Sequence, residues 1–207
     1  MIKITSYGHS CFKIENENLS IVIDPFYDDS VPGLVFPNNV TAHYVFISHQ
    51  HRDHAAREYI NIVKTNKTIK YEEYLLPHDH EKGCKRGMVY GRIFYFDRLS
   101  FAHLGDIGDI SDPSILKPFM NVDVLFVPIN GTFTISSQEA KKLVDICHPR
   151  LVIPMHYENK VLGTGYPDDH QIEIFKTLFP NYLEVKNNTV IVDEHLFSYH
   201  ALIFENE

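Results

Sequence analysis

The stretch from Tyr44 to His54, YVFISHQHRDH, decides how this chain folds. Its first half, Tyr44–Ser48, is a short and nearly continuous apolar run, which predicts a strand buried on both faces. Its second half places three histidines and one aspartate in six residues directly after that strand. Imidazole and carboxylate groups are the ligands that zinc and similar ions favour. The sequence therefore predicts a metal site at the end of a buried strand.

Spacing within the motif gives its side chains directions. His49 and His51 are two residues apart, so an extended backbone projects both imidazoles to one side. Asp53 and His54 fall on the turn that enters a predicted helix, Ala55–Lys64, where a change of direction aims them at a second ion nearby. The alternative is a polar loop whose histidines only cap that helix.

The rest of the chain alternates between strands and helices without a linker or a repeat. Strands come first, then alternating strands and helices, then strands again, which two sheets with helices outside would satisfy. A length of 207 residues suits one α/β (α+β) domain over residues 1–207. The predicted strands are Lys3–Tyr7, Cys11–Glu15, Ser20–Asp24, Val122–Ile129 and Leu151–Met155, with a hairpin over Met88–Leu104, helices at Ser136–Cys147 and Asp168–Phe179, and strand-rich sequence over Tyr182–Phe204.

Composition argues against several classes of protein. A net charge of -8 is unusual for proteins that bind long nucleic acids or membrane surfaces through a broad basic face. No apolar run approaches the roughly 20 residues that span a bilayer. Three cysteines without clustered spacing, and no signal peptide, are typical of a cytoplasmic protein.

The expected partner is therefore a small-molecule substrate, and an anionic one remains compatible because bound cations reverse the local field. The C-terminal segment FSYHALIFENE predicts a final strand or an interface segment. A homo-oligomer is accordingly a further expectation.

Other coordinating residues stand at the ends of predicted strands. His78 follows YLLP, Asp106 ends FAHLGD, and His156 follows LVIPM. Sites in α/β sheets gather at the carboxyl ends of strands, so these three are candidate ligands. His80 is an alternative to His78, because spacing does not separate the two.

At this point a resemblance is apparent. SHQHRDH resembles the metal-binding motif of the metallo-β-lactamase superfamily. The segments YGHSCFKIE, IVIDPF, HDHEKGCKRG, HLGDIG, VPINGTFTI and IPMHY resemble, in that order, the branch of small hydrolases that includes L-ascorbate-6-phosphate lactonase. The similarity runs from about Tyr7 to Tyr157 and implies a four-layered αβ/βα sandwich with the site at one edge between the sheets.

The resemblance also implies one or two divalent ions. Zn²⁺ is the expected ion, with Mn²⁺ and Fe²⁺ as alternatives. The implied ligands are His49, His51 and His78 on one metal, Asp53, His54 and His156 on the second, and Asp106 bridging the two.

Four residues have candidate roles around these ligands. Asp24 falls where the family keeps an acidic residue that orients a ligand imidazole; the alternative is a turn before Pro25. His9, in GHS, matches the family's opening motif and either approaches the site or is structural. Asp53 is a candidate for orienting the nucleophile or accepting its proton. His103 is a candidate proton donor to the leaving group, against the more usual case of a packed histidine.

A basic, glycine-flanked loop, EKGCKRG, follows His78 closely. Arg86 can present a bidentate fork to a phosphate or carboxylate, and Lys85 stands beside it. These two residues are candidate contacts for an anionic substrate group, and the alternative is a solvated basic turn.

The expected activity is hydrolysis of a small ester or lactone by a metal-bound hydroxide, since a metal lowers the pKa of bound water to about 7. A phosphodiesterase or nuclease on the same dinuclear site is the first alternative. A non-catalytic metal-binding module is another, although no expected ligand is missing. A di-iron redox enzyme of the flavodiiron type is disfavoured, because it would be expected to carry Glu where this chain has His51.

Overall fold

The structure, a computed structural model, describes residues 1–205. Its helices are α1 (Ser137–Cys147) and α2 (Gln171–Leu178), with 3₁₀ turns at Arg57–Tyr59, Pro113–Phe119 and Leu196–Ser198. The strands are β1 (Ile2–Gly8), β2 (Cys11–Glu15), β3 (Ser20–Ile23), β4 (Thr41–Ala42), β5 (Tyr44–Phe46), β6 (Asn61–Ile62), β7 (Lys70–Pro77), β8 (Met88–Phe96), β9 (Leu99–His103), β10 (Val124–Pro128), β11 (Leu151–Met155), β12 (Tyr182–Val185), β13 (Thr189–Val192) and β14 (Ala201–Phe204).

Two main sheets hold most of these strands. The smaller has the order β13-β1-β2-β3-β5, and the larger has the order β12-β14-β11-β10-β9-β8-β7. Within the larger sheet, the neighbouring strands β9, β10, β11, β14 and β12 run parallel, whereas β7, β8 and β9 form an antiparallel meander. Parallel strands end at the same edge, so the loops after β9, β10 and β11 meet there.

Alternating side chains fill the space between the sheets. Phe12 and Ile14 of the smaller sheet belong to the same buried cluster as Phe94, Phe101 and Phe126 of the larger one. On the far side of the larger sheet, α1 and α2 bury their own apolar faces. Helix α1 is capped by Ser136, whose Oγ accepts from the Glu139 N–H while the Glu139 carboxylate accepts from the Ser136 N–H.

The layer outside the smaller sheet is irregular. Val22 and Val45 face outward and pack against the loop residues Phe26 and Phe36. The predicted helix Ala55–Lys64 is wrong: the chain forms one 3₁₀ turn and then strand β6, which pairs with β4. The amides there bond to the carbonyls of residues 40 and 42, and the β-branched residues of this segment suit extended backbone better than a helix.

The other predicted elements are confirmed, with small shifts at their ends. The hairpin turns at Asp97, and α2 begins three residues later than predicted. The C-terminal segment forms β14, which lies between β12 and β11; its last residues, 206 and 207, lie outside the described range. The four-layered architecture is therefore present, with irregular chain in place of a helix on the smaller sheet. Within residues 1–205 no helix has the length and apolarity needed to cross a bilayer.

Candidate metal centre

Loops from both sheets converge at one edge of the sandwich. The motif Ser48–His54 follows β5, His78 follows β7, Asp106 lies three residues past β9, and His156 follows β11. The β1–β2 turn brings His9 to the same place from the smaller sheet, where its carbonyl accepts the His156 N–H at 3.1 Å. Register and strand order, rather than proximity in sequence, thus assemble the site.

Three histidines form the first ligand group. His49 Nε2 lies 2.8 Å from His51 Nδ1, and His78 Nε2 lies 3.3 Å from the same atom. One ring nitrogen of each residue lies within 4.8 Å of the other two. The three imidazoles therefore point at a common centre, as the ligands of one ion do.

The second group lies deeper. Ligand atoms of His9, Asp53, His54 and His156 all fall within 4.8 Å of one another. Asp53 Oδ2 is 3.3 Å from His9 Nε2 and 3.6 Å from His54 Nε2. His9 and His156 both adopt left-handed backbone, a conformation that costs energy and collects at functional sites.

Asp106 lies between the two groups. Its Oδ2 is 3.1 Å from His54 Nε2 and 3.2 Å from His156 Nε2 on one side. On the other side it is 3.7 Å from His78 Nε2 and 3.9 Å from His49 Nε2. A carboxylate in this position can contact an ion in either group.

The donor set fits divalent cations. Asp106 Oδ1 is buried and has no hydrogen-bond partner within residues 1–205. An unsatisfied buried polar atom is costly, and an ion held by Asp106 would satisfy this oxygen. Burial opposes the charged form of Asp106, yet His156 and His54 hold its pKa well below the usual value. Burial lowers the pKa of His49 to about 3, which keeps that ring neutral and able to donate a lone pair to a metal.

The comparison with protein families agrees with this geometry. Residues 3–156 match the family model described as "Beta-lactamase superfamily domain". The chain belongs to the metallo-β-lactamase superfamily. It is 32% identical to a UPF0173 protein of Pyrococcus abyssi, over 75% of this chain and 83% of that one.

Two further similar proteins are described as hydrolases. A UPF0173 metal-dependent hydrolase of Carboxydothermus hydrogenoformans is 27% identical over 75% of this chain and 84% of its own. A crystal structure from Thermotoga maritima, described as a candidate Zn-dependent hydrolase of the metallo-β-lactamase superfamily, superposes with a TM-score of 0.74. It is 29% identical and covers 99% of this chain and 98% of its own.

Asp24 holds two of the candidate ligands in place. Its Oδ2 lies 3.0 Å from His54 Nδ1 and accepts the Ser48 hydroxyl at 2.7 Å. The same hydroxyl oxygen lies 2.9 Å from His49 Nδ1, where it can accept the ring N–H. Both contacts fix the tautomer that leaves Nε2 free to bind metal. The carboxylate is fully buried.

His103 occupies a different place from the one expected of a proton donor. It is buried between the sheets beside Phe12 and Phe126. Its Nε2–H donates to the Ser10 carbonyl at 3.0 Å, and its Nδ1 accepts the Gly105 N–H at 3.2 Å. Both ring nitrogens are occupied and the residue does not line the pocket, so the geometry favours a packed histidine over a catalytic one.

The loop after His78 places the two basic candidates, Lys85 and Arg86, in different surroundings. Lys85 is exposed and pairs with Glu81, away from the pocket, so its expected contact with substrate is not supported. Arg86 lines the pocket. His80 is exposed and faces Glu139 at 3.7 Å, which leaves His78 as the residue that meets the other ligands.

The pocket above the ligands has a volume of about 360 Å³. Beside His51, Asp53, His78, Asp106 and His156, it is lined by Arg86, Phe133 and Tyr166. The Tyr166 ring stacks on His156 with centroids 5.8 Å apart, and its hydroxyl donates to the Ser30 carbonyl. Sequence reasoning missed Phe133 and Tyr166, because a lone aromatic in a glycine-rich loop carries no motif.

Asp79 is a third residue that sequence reasoning missed. Its Oδ1 accepts the backbone N–H groups of Glu81 and Gly83, and its Oδ2 accepts those of Lys85 and Arg86, at 2.7 to 3.1 Å. Four bonds to one carboxylate fix the shape of the loop. The backbone of Arg86 is therefore held beside the pocket by the residue that follows the candidate ligand His78.

Proposed function

We propose that this protein is a metal-dependent hydrolase that acts on a small ester or lactone, with one or two ions, Zn²⁺ being favoured over Mn²⁺ or Fe²⁺. The observation that carries the proposal is Asp106, whose single Oδ2 lies within 3.9 Å of four imidazoles at the floor of an open pocket. A divalent ion held there would lower the pKa of a bound water towards about 7, which would supply a nucleophile at neutral pH.

Asp53 is positioned to guide that nucleophile. Its carboxylate lines the pocket, and its side chain keeps 14% of its surface exposed. Burial opposes its ionisation, but His54 and His9 outweigh burial and hold the pKa below the ordinary value. The ionised oxygen can therefore accept a hydrogen bond from an attacking water and orient it.

The remaining walls suit a small, partly apolar substrate. Phe133 and Tyr166 offer ring surface, and their centroids are 5.3 Å apart. The lactonase-like sequence segments and the names of the relatives from Carboxydothermus hydrogenoformans and Thermotoga maritima, a metal-dependent hydrolase and a candidate Zn-dependent one, support hydrolysis. A cytoplasmic location, a small-molecule partner and a homo-oligomeric state are proposals that rest on the sequence.

Phosphodiester hydrolysis is the second candidate, and Arg86 is the observation that favours it. A guanidinium at the pocket wall matches the geometry of a phosphate oxygen pair. A non-catalytic metal-binding module is the third candidate, although the full set of expected ligands surrounds the pocket.

Metal content and hydrolysis, measured on one preparation, test the proposal. Protein purified without chelator should carry about two ions per chain. It should hydrolyse a lactone or aryl ester faster than bis-p-nitrophenyl phosphate. Chelation should abolish the activity and added metal should restore it.

Two variants sharpen the test. Asp53→Asn should lower kcat strongly, whereas Asp145→Asn, on the exposed face of α1, should leave it unchanged. A preference for the phosphodiester would favour the second candidate. Bound ions without any hydrolysis would favour the module, and a chain that takes up no metal would overturn the whole proposal.

A further inference from the structure

A second cleft adjoins the metal pocket. It has a volume of about 480 Å³ and shares His51 and Arg86 with the pocket, so the two cavities meet at these side chains. Its other walls are formed by residues 47–50, Arg57, Gly87, Met88, Tyr90 and Arg92.

The charge of this cleft opposes that of the whole chain. Three arginines line it and no acidic residue does, in a protein of net charge -8. Arg92 is already engaged, because it donates to Glu73 at 3.1 Å and to the Ile47 carbonyl at 2.7 Å. Arg57 and Arg86 have no acidic partner within 4.0 Å among residues 1–205. The Arg86 guanidinium lies 3.4 Å from the Thr132 carbonyl and over the Phe133 ring, so its protein partners are neutral. Neither arginine therefore has a carboxylate that balances its charge.

Both arginines are placed by local backbone structure. Arg57 begins the 3₁₀ turn that stands where the sequence predicts a helix. Arg86 belongs to the loop closed by Asp79, whose Oδ2 accepts the Arg86 N–H at 2.7 Å. The anchoring at Asp79 fixes the backbone from which the Arg86 side chain extends.

The floor between them is apolar. Met88 is 43% exposed and Tyr90 is 39% exposed, both on the strand that runs out of the Arg86 loop. Tyr90 is held in place because its N–H donates to the Ser48 carbonyl at 2.9 Å. A ligand that suits this surface carries a negative group for the arginines and a short apolar body for the floor.

We propose that the second cleft binds the anionic end of the substrate, a phosphate or carboxylate on a small molecule, with Arg57 and Arg86 as its ligands. This assignment rests on the proposed function in one respect, that the other end of the same molecule passes His51 and presents its scissile bond at the metal centre. The cleft thereby adds a charge requirement that the metal pocket alone does not impose.

Calorimetric titration of the metal-loaded protein with phenylphosphonate and with phenylacetate tests the anion site without any hydrolysis. The matched variants are Arg57→Gln, Arg86→Gln and, as control, Arg98→Gln, an exposed arginine in the turn at the far end of β8. Arg57→Gln and Arg86→Gln should each weaken binding about tenfold, since each removes a charge-assisted hydrogen bond. Arg98→Gln should bind like the unchanged protein. The stronger-binding probe identifies phosphate or carboxylate as the natural group.

Arg57 makes the result specific, because it lines only the second cleft. If Arg86→Gln alone weakens binding, the anion sits in the metal pocket and the proposal is overturned. Equal affinities in the three variants overturn it as well, and so does tighter binding of a single-stranded oligonucleotide than of either probe. Ester hydrolysis is measured separately on each preparation, so its absence would count against the proposed function while the Arg57 effect still reported on the cleft.

Discussion

Replacing Asp24 by Asn tests whether a residue that touches no ion controls metal binding. The carboxylate receives the Ser48 N–H on Oδ1, and the Ser48 O–H and the His54 Nδ1–H on Oδ2. Asn has nearly the same shape but only one acceptor oxygen. Whichever way the amide turns, its NH₂ group meets at least one donor, and these clashes of like groups are costly in a buried site.

The amide orientation sets the size of the effect. If the oxygen faces the Ser48 N–H, the NH₂ group faces His54 Nδ1, which must then present a lone pair. The proton moves to Nε2, the atom 3.1 Å from Asp106 that would bind the second ion. Loss of such an orienting partner weakens metal binding about 10-fold to 100-fold, or about 1.4 to 2.7 kcal/mol.

The first ion should be affected less, because among its candidate ligands only His49 is linked to Asp24, and that link runs through the Ser48 hydroxyl. A chelator titration, with metal content measured at each step, separates the two sites. Asp24→Asn should release its second ion at a chelator concentration about tenfold or more below that of the unchanged protein.

Asp123→Asn is a matched control. Its Oδ2 accepts both the N–H and the O–H of Ser100 at 2.9 Å, as the Asp24 carboxylate accepts both donors of Ser48, and its Oδ1 accepts from Arg150 instead of a histidine. The residue lies at the other end of the strands, away from the candidate ligands. Both variants should lose some stability to urea, whereas only Asp24→Asn should lose metal. Identical chelator curves for the two variants would refute the reasoning.

Individual contacts set the remaining expectations. Gly105→Ala should lower stability by about 1 to 3 kcal/mol in urea unfolding, because residue 105 has φ +54 and a Cβ there would lie 2.7 Å from Ser48 Cβ; an unchanged midpoint would contradict this. His9→Leu should weaken the second ion about tenfold in the same chelator titration, since it removes the ring 3.3 Å from the Asp53 carboxylate, and an unaltered curve would make His9 structural. About one thiol per chain should react quickly with a disulfide reagent, the exposed Cys84, because Cys147 is buried and burial raises its pKa to about 12; rapid release of all three thiols from folded protein would contradict the packing.

The convergence of the candidate ligands could be predicted from the sequence for a physical reason. A coordinating residue at the end of a buried strand lies at a sheet edge, and parallel strands share that edge. His49, Asp106 and His156 all follow this rule, although they are far apart in the chain. Asp24 fits it too, since β3 pairs in parallel with β5 and so ends beside Ser48.

The residues that form the walls of the pocket could not be predicted from the sequence in the same way. Tyr166 is held by the Ser30 carbonyl, 136 residues away in the chain, and no local pattern encodes that contact. Arg57 was expected on a helix, because the spacing of Tyr59, Ile60 and Val63 suits a helix face. In the structure, β6 pairs with β4 instead. A pattern made of only three apolar residues does not reveal such a long-range strand pairing. His103 was a candidate proton donor because it lies two residues before Gly105, but its ring packs between the sheets against Phe12 and Phe126.

These outcomes divide the site into two parts with different origins. Strand ends hold the candidate ligands, so their geometry changes only if the sheets change. Loops supply the walls: the Asp79 loop carries Arg86, the 3₁₀ turn carries Arg57, and a glycine-rich loop carries Tyr166. Loops tolerate substitution and insertion far better than strands do. Substitutions at Arg57 or Arg86 should therefore alter which molecules bind without altering metal content, which is how one scaffold can host many reactions.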